Sequence, residues 1–183
     1  PSGSRIRYYL TDYLPKNVYD TVSRTGAAMF NWMLEDLAFA YAPRLDDVLC
    51  IGMGVGIVPR DLARKGVRVD VVEINPAVVP VARRFFDLDP SAFDLLIGDG
   101  RWYANTSTRR YDAVLLDAFV GDNVPSHLMS REAFEAIARL LSPDGVLVIN
   151  TFVDVGTRDD FLGASLMKTL RAVFPSVKAH GTR

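Results

Sequence analysis

Residues 48–59 read VLCIGMGVGIVP, an apolar run that breaks into alternating glycines at Gly52, Gly54 and Gly56. Such a run reads as a buried strand. The glycines let the backbone turn sharply into a helix while a ligand approaches the main chain and the helix N-terminal amides. The dinucleotide fingerprint G-x-G-x-x-G needs a glycine at position 57, which is Ile57. The phosphate-gripping P-loop needs Gly-Lys where Ile57-Val58 stands, so it fails too. What remains is G-x-G-x-G, with Glu73 ending the next apolar stretch 21 residues after Gly52. A carboxylate there accepts from both ribose hydroxyls. The pairing suits a nucleoside without phosphates.

Outward from this turn the pattern is regular. Near-continuous apolar stretches at 47–51, 68–74, 93–97, 112–117 and 145–151 alternate with segments of helical period. Strands apolar on both faces belong to a parallel sheet covered by helices on each side. The fold class is therefore α/β, a doubly wound, mostly parallel Rossmann-like sheet. Asn75 is expected to cap and Pro76 to open the helix of PAVVPVARRFF, and Ser130 to cap REAFEAIARLL. Ser142-Pro143-Asp144-Gly145 is expected to turn into the fifth strand, and a helix over 158–173 to precede a short strand start at 176–178. Residues 5–20 predict a strand or hairpin, followed by a helix over 26–41. Residues 1–44 thus read as an appendage to an α/β domain over 45–183.

Composition narrows the chemistry. In 183 residues, 21 Lys and Arg balance 22 Asp and Glu, so no global field favours nucleic acid or an anionic membrane. The apolar stretch 26–42 is cut by Glu35 and Asp36 and reads as an amphipathic helix rather than a membrane span. The single cysteine, Cys50, lies in the first strand and reads as a packed thiol, and the lack of a partner cysteine fits a reducing, cytoplasmic compartment. Two histidines and one cysteine do not build a typical zinc site, so no metal is expected. Because the chain starts at Pro1, it reads as a piece of something longer.

Two further acids complete the constellation. LLIGDGRWY (95–103) sets Asp99 just past the third strand, in position to accept from an adenine amino group, and YDAVLLDAF (111–119) sets Asp117 at the end of the fourth. All of these elements fall at the carboxyl ends of consecutive strands, where open α/β sheets bind ligands. Trp102, Tyr103 and Phe119 are expected nearby as rings that attract a sulfonium or ammonium cation.

Over residues 45–152 the order of motifs resembles the class I fold of S-adenosylmethionine-dependent transferases. Within it, IGDGRWY, the strand-end aspartate and DNVPSHLMSREAFEAIARLLSPDGVLVIN are similar to the spermidine synthase (polyamine aminopropyltransferase) family, where a P-x-x-L-[FYM]-[ST]-x-E-[FA]-[FY] stretch leads into a P-D-G turn. The resemblance implies that S-adenosylmethionine or its decarboxylated form is bound by Gly52, Gly54, Gly56, Glu73, Ile74, Asp99 and Gly100. It also implies that Asp117 is the base that deprotonates an attacking amine, a role the chemistry needs because a free amine has a pKa near 10. The expected acceptor is a small amine, held by Phe119 and Asp122, with a homodimer as a possible assembly.

Departures bear on the acceptor. The family's aspartate between the later glycines is Val55 here, and the D-[ST]-[ST]-D-P pattern is replaced by DAFVGDNVP, which puts Val120 at the second acid and Asp122 two residues later. The Y-[HQ]-E-M setting ahead of the glycine strand is replaced, on this reading, by Ala27-Ala28-Met29-Phe30. Removing ammonium-binding acids argues against a polycation, because an unpaired buried ammonium costs several kcal/mol. A methyltransferase using intact S-adenosylmethionine, and a non-catalytic nucleoside-binding domain of a larger protein, stay open beside aminopropyl transfer. His127 reads as a loop histidine or second base, His180 is given no role, and Arg83-Arg84 and Arg109-Arg110 read as solvated charge.

Overall fold

The computed structural model describes residues 5–11, 13–119, 125–153 and 161–181. Two sheets are present among them. The first is antiparallel and built from β1 (Ile6–Thr11), β2 (Leu14–Asp20) and β3 (Thr25–Gly26). Helix α1 (Met29–Tyr41) connects it to the second sheet. That sheet comprises β4 (Asp47–Ile51), β5 (Arg68–Glu73), β6 (Asp94–Ile97), β7 (Tyr111–Leu116) and β8 (Leu141–Ile149), all parallel in the order β6-β5-β4-β7-β8. The intervening helices are α2 (Ile57–Arg64), α3 (Val78–Phe85), α4 (Gly100–Thr106), α5 (Arg131–Leu140) and α6 (Phe161–Arg171).

Strand order reverses between β4 and β7, the place where an open α/β sheet leaves a crevice at its carboxyl edge. Alternation along the central strands feeds two layers of core. Val48, Cys50, Val71 and Leu115 pack toward α1, α2 and α3, whereas Leu49, Ile51, Val114 and Leu116 pack toward α4, α5 and α6. The N-terminal sheet joins the first layer through Tyr19, which is fully buried. Its ring lies under the Arg60 guanidinium and its hydroxyl donates to Asp87 at 2.7 Å.

The structure differs from the sequence expectations in five places, the first being that α1 begins at Met29 rather than at 26 because Gly26 pairs in β3. Apolar burial on both faces holds for β4, β5 and β7, but β6 exposes Leu96 and Ile97, and among the described residues it is an edge strand paired with β5 alone. Helix α3 begins at Val78, not Pro76: the Asn75 side chain instead accepts from the Ala77 amide, closing a turn before the helix. The Ser142–Gly145 turn sits inside β8 as an irregularity, with Leu141 already opposite Tyr111 and Val146 opposite Ala113. Residues 176–178 form no strand. Ser130 caps α5 as expected, accepting from the Ala133 amide.

Candidate functional site

The carboxyl edge is stitched by backbone hydrogen bonds that hold four loops side by side. Gly52 N–H donates to Val72, Gly98 N–H to Glu73, Asp117 N–H to Ile51 and Asn150 N–H to Leu116. The glycine turn, Glu73-Ile74, Asp99 and Asp117 therefore adjoin along one rim.

Each glycine of the turn has positive φ: 95° at Gly52, 52° at Gly54 and 81° at Gly56. The protein itself fills the space a side chain would need. A Cβ at Gly52 would lie 2.3 Å from the Asp117 carbonyl oxygen, and one at Gly54 would lie 2.4 Å from Asn17 Oδ1. Between them, Met53 and Val55 point into the core. The Val55 amide donates to Asn17 Oδ1 at 3.0 Å, so β2 of the N-terminal sheet braces the turn. Sequence reasoning gave Asn17 no role, and its only signal was its place in the hairpin.

Glu73 is 8% exposed, and its two oxygens accept from the Met53 amide at 2.9 Å and the Asn75 amide at 2.7 Å. Each oxygen retains a second lone pair. The next residue, Ile74, is 65% exposed at the rim, an apolar surface following the Glu73 carboxylate.

Asp99 caps α4, one oxygen accepting from the Trp102 amide at 2.7 Å, while the other meets His127 Nε2 at 3.0 Å. Burial pushes its acidity one way, but the Trp102 amide and His127 outweigh it and hold the carboxyl below its usual range. His127 is thereby a partner of Asp99, steadied by Arg101, which donates to the His127 carbonyl at 2.6 Å. Gly100 opens α4 with no room for a side chain, since its Cβ would lie 2.4 Å from Ile51.

Asp117 is half-buried just beyond β7, with Oδ1 accepting from Asn150 Nδ2 at 2.8 Å. Burial raises its pKa, opposed by the Asn150 hydrogen bond and by the positive charge of Lys16. The Lys16 ammonium sits 5.5 Å from the centre of the Phe119 ring, which in turn packs on Phe152 at 5.3 Å. Val120 and Asp122 lie outside the described residues.

Two sequence expectations gain partners that the sequence did not show. Tyr103 turns away from the rim: its hydroxyl contacts that of Tyr111 at 2.5 Å, and Tyr111 donates to Asp70. Arg109 and Arg110 are exposed, as expected of solvated charge, yet Arg109 also pairs with Asp70 at 2.7 Å and Arg110 Nη1 donates to the Leu141 carbonyl at 3.1 Å. Cys50 is a buried thiol with its pKa raised, chiefly by burial. The described residues contain no group of His, Cys, Asp and Glu fit to hold a metal. No helix among them is long and apolar enough to cross a membrane.

Asn31 of α1 is a residue the sequence reading passed over. It is wholly buried and lines a small cavity together with Asn17, Gly52, Met53 and Asp117. A signal was present, because Met33 matches the methionine of the Y-[HQ]-E-M setting and puts Phe30-Asn31-Trp32 in register with its first three residues.

Comparison with known proteins agrees with this architecture. A polyamine aminopropyltransferase from Vibrio vulnificus (strain CMCP6) is 42% identical over 118 residues, covering 61% of this chain and 40% of that protein. An N-terminal histidine N-methyltransferase from Emericella nidulans (strain FGSC A4 / ATCC 38163 / CBS 112.46 / NRRL 194 / M139) is 31% identical over 175 residues, covering 91% of this chain and 30% of that protein. The chain thus spans well under half the length of these curated relatives. Among solved structures, a spermidine synthase in complex with the transition state analogue AdoDATO superposes with a TM-score of 0.71 at 21% identity, over 96% of this chain and 64% of that one. It shares the fold. The model of the spermine/spermidine synthase domain matches residues 28–180, from α1 through the whole parallel sheet, and the chain belongs to that family.

Proposed function

We propose that this chain carries the transferase centre of a spermidine synthase-like enzyme, one that binds an adenosyl sulfonium and passes its aminopropyl group to a small amine. The observation that carries the reading is Asp117: a half-buried carboxylate at the switch point, next to the glycine turn, with its pKa raised by burial. A base that acts on an ammonium works better as its pKa approaches that of the amine.

The co-substrate supplies an electrophilic carbon beside a positively charged sulfur. In this reading the Glu73 lone pairs left free by the Met53 and Asn75 amides take the ribose hydroxyls, Ile74 lies against the purine, and Asp99 accepts from its amino group. Asp117 takes a proton from the acceptor's ammonium. The freed nitrogen lone pair attacks the carbon, and the carbon–sulfur pair returns to sulfur as a neutral thioether. That leaving group needs no acid. Phe119, beside Lys16 at the mouth of this site, and Asp122 are the residues assigned to the acceptor in this reading.

Methyl transfer from intact S-adenosylmethionine is the second reading. It is favoured by Val55, whose side chain is buried in the core where the family carries an acid, and by the relatives that are N-methyltransferases. Calorimetry and turnover assays with decarboxylated and intact S-adenosylmethionine separate the two. Preference for the decarboxylated form, with aminopropyl transfer to a small amine, supports the first reading. Preference for the intact form with methylated product replaces it with the second, and the absence of binding by either leaves a non-catalytic domain.

A further inference from the structure

The cavity beside the glycine turn is polar where its neighbours are not. It offers about 10 Å³ to the centre of a water molecule. That is about one water's worth of room, and a buried water needs two to four polar partners. Leu34, Cys50, Val58 and Leu115 supply apolar wall, and Asn17, Asn31 and Asp117 supply polar groups. Asn31 is the telling residue: it is 0% exposed, and neither its Nδ2 nor its Oδ1 has a hydrogen-bond partner among the described residues. Leaving both ends of a buried amide unpaired is expensive, and native folds almost always satisfy such groups with protein or ordered water. A Cβ at Gly26 would lie 2.5 Å from Asn31 Nδ2, so the backbone has been kept bare to admit this amide.

We propose that this cavity is a binding site for a single ordered water, held by the Asn31 amide and shared with Asn17 and Asp117, which makes Asn31 a positioning residue for the Asp117 carboxyl. Asn31 accepts one proton of the water and donates to its oxygen, leaving the second proton to point at the carboxylate. A hydrogen bond to the charged form of an acid favours that form. The water therefore works with Asn150 against the burial of Asp117. Among the described residues, the ionisable groups around Asp117 are Lys16 from β2 and Cys50 from β4, while Glu35 from α1 is buried and paired to Lys65 at 2.6 Å.

The water site itself does not depend on which reaction the protein performs; the effect on the rate does rest on Asp117 being the base. A high-resolution crystal structure of the protein without ligand tests the site directly. Density for one water within about 3.2 Å of Asn31 Nδ2 or Oδ1 and of an Asp117 atom supports it, and a dry cavity overturns it. Carboxyl carbon NMR of the same protein, with D117N to assign the resonance, tests the linkage. Asn31→Leu, which fills the cavity without polar atoms, should move the Asp117 midpoint upward, and an unmoved midpoint overturns the positioning role. If Asn31→Leu does not fold, Asn31→Ser is read in the same way, since it shortens the reach to the water. In turnover assays the acid limb should move with the NMR midpoint. A moved NMR midpoint with an unmoved limb would leave the water in place and remove Asp117 as the base.

Discussion

Asn150 Nδ2 donates a 2.8 Å hydrogen bond to Asp117 Oδ1, linking the residue after β8 to the residue after β7 across the end of the sheet. The bond fixes one carboxyl oxygen and leaves the other for the crevice. Asn150→Leu removes a donor that lowers the Asp117 pKa, so the acid limb of a pH–rate profile should move to higher pH. A limb at the same pH in both proteins would mean that another group titrates in the rate.

The same raised pKa has a consequence for stability. A carboxyl whose folded pKa lies above its unfolded value stabilises the fold fully below the unfolded pKa, near 4, and loses that contribution as pH rises through the folded pKa. Asp117→Asn should thus raise the melting temperature at neutral pH, with the gap closing toward about pH 4, while turnover falls by about 10²-fold or more and cofactor affinity stays within about tenfold. Thermal melts across pH alongside kinetics check both halves. A variant less stable at pH 7 than the parent would contradict the buried-charge account.

Gly52→Ala and Gly66→Ala form a matched pair. Both positions have positive φ, 95° and 86°, so both variants carry the left-handed strain of roughly 1–2 kcal/mol. Only Gly52 has the Asp117 carbonyl 2.3 Å from a would-be Cβ; nothing lies within 4 Å at Gly66. Gly52→Ala should therefore lose clearly more stability in denaturant unfolding than Gly66→Ala, and should also weaken cofactor binding by displacing Asp117. Equal losses would show that the turn yields freely.

This contrast explains how far the sequence could be read. The central sheet was legible because β4, β5 and β7 are buried on both faces and leave a continuous apolar signature, and because a glycine turn, Glu73, Asp99 and Asp117 recur at strand ends in order. Individual hydrogen bonds were not. Glycine spacing announces a tight turn without saying whether a ligand or the protein's own Asn17 presses on it. A histidine in a loop has no pattern that points to Asp99 28 residues away, nor an arginine at 109 to Asp70. Asn31 was passed over because a polar residue inside an amphipathic helix has the same appearance whether it faces water or a buried cavity, so that only the register set by Met33 marks it.

Glu73→Gln separates ligand binding from the integrity of the turn. The carboxylate accepts from the Met53 and Asn75 amides, and a glutamine offers one acceptor oxygen and one NH₂ group that opposes the second amide. A hydrogen bond to a charged group contributes about 1.5–3 kcal/mol, so the variant should lose stability on that scale with no ligand present, along with at least tenfold in cofactor affinity. Urea unfolding without cofactor isolates the first effect. Full stability with weakened binding would mean that the turn does not lean on Glu73.

At the opposite edge of the sheet, the Tyr111 hydroxyl donates to Asp70, which Arg109 also holds at 2.7 Å. Tyr111 and Asp70 are both buried, and the contact of Asp70 with the tyrosine hydroxyl adds to the burial that raises the Tyr111 pKa. Tyr111→Phe keeps the ring in the core and deletes the donor, leaving one carboxylate oxygen with Arg109 and a distant Tyr103 hydroxyl at 3.4 Å. Loss of a buried donor to a charged group should destabilise the fold by about 1–3 kcal/mol. Because this cluster sits at the amino ends of the strands, affinity for an adenosyl ligand should be unchanged. Differential scanning calorimetry and ligand titration on the one variant measure the two quantities, and a large drop in affinity would show that strain at β7 passes along the strand to Asp117.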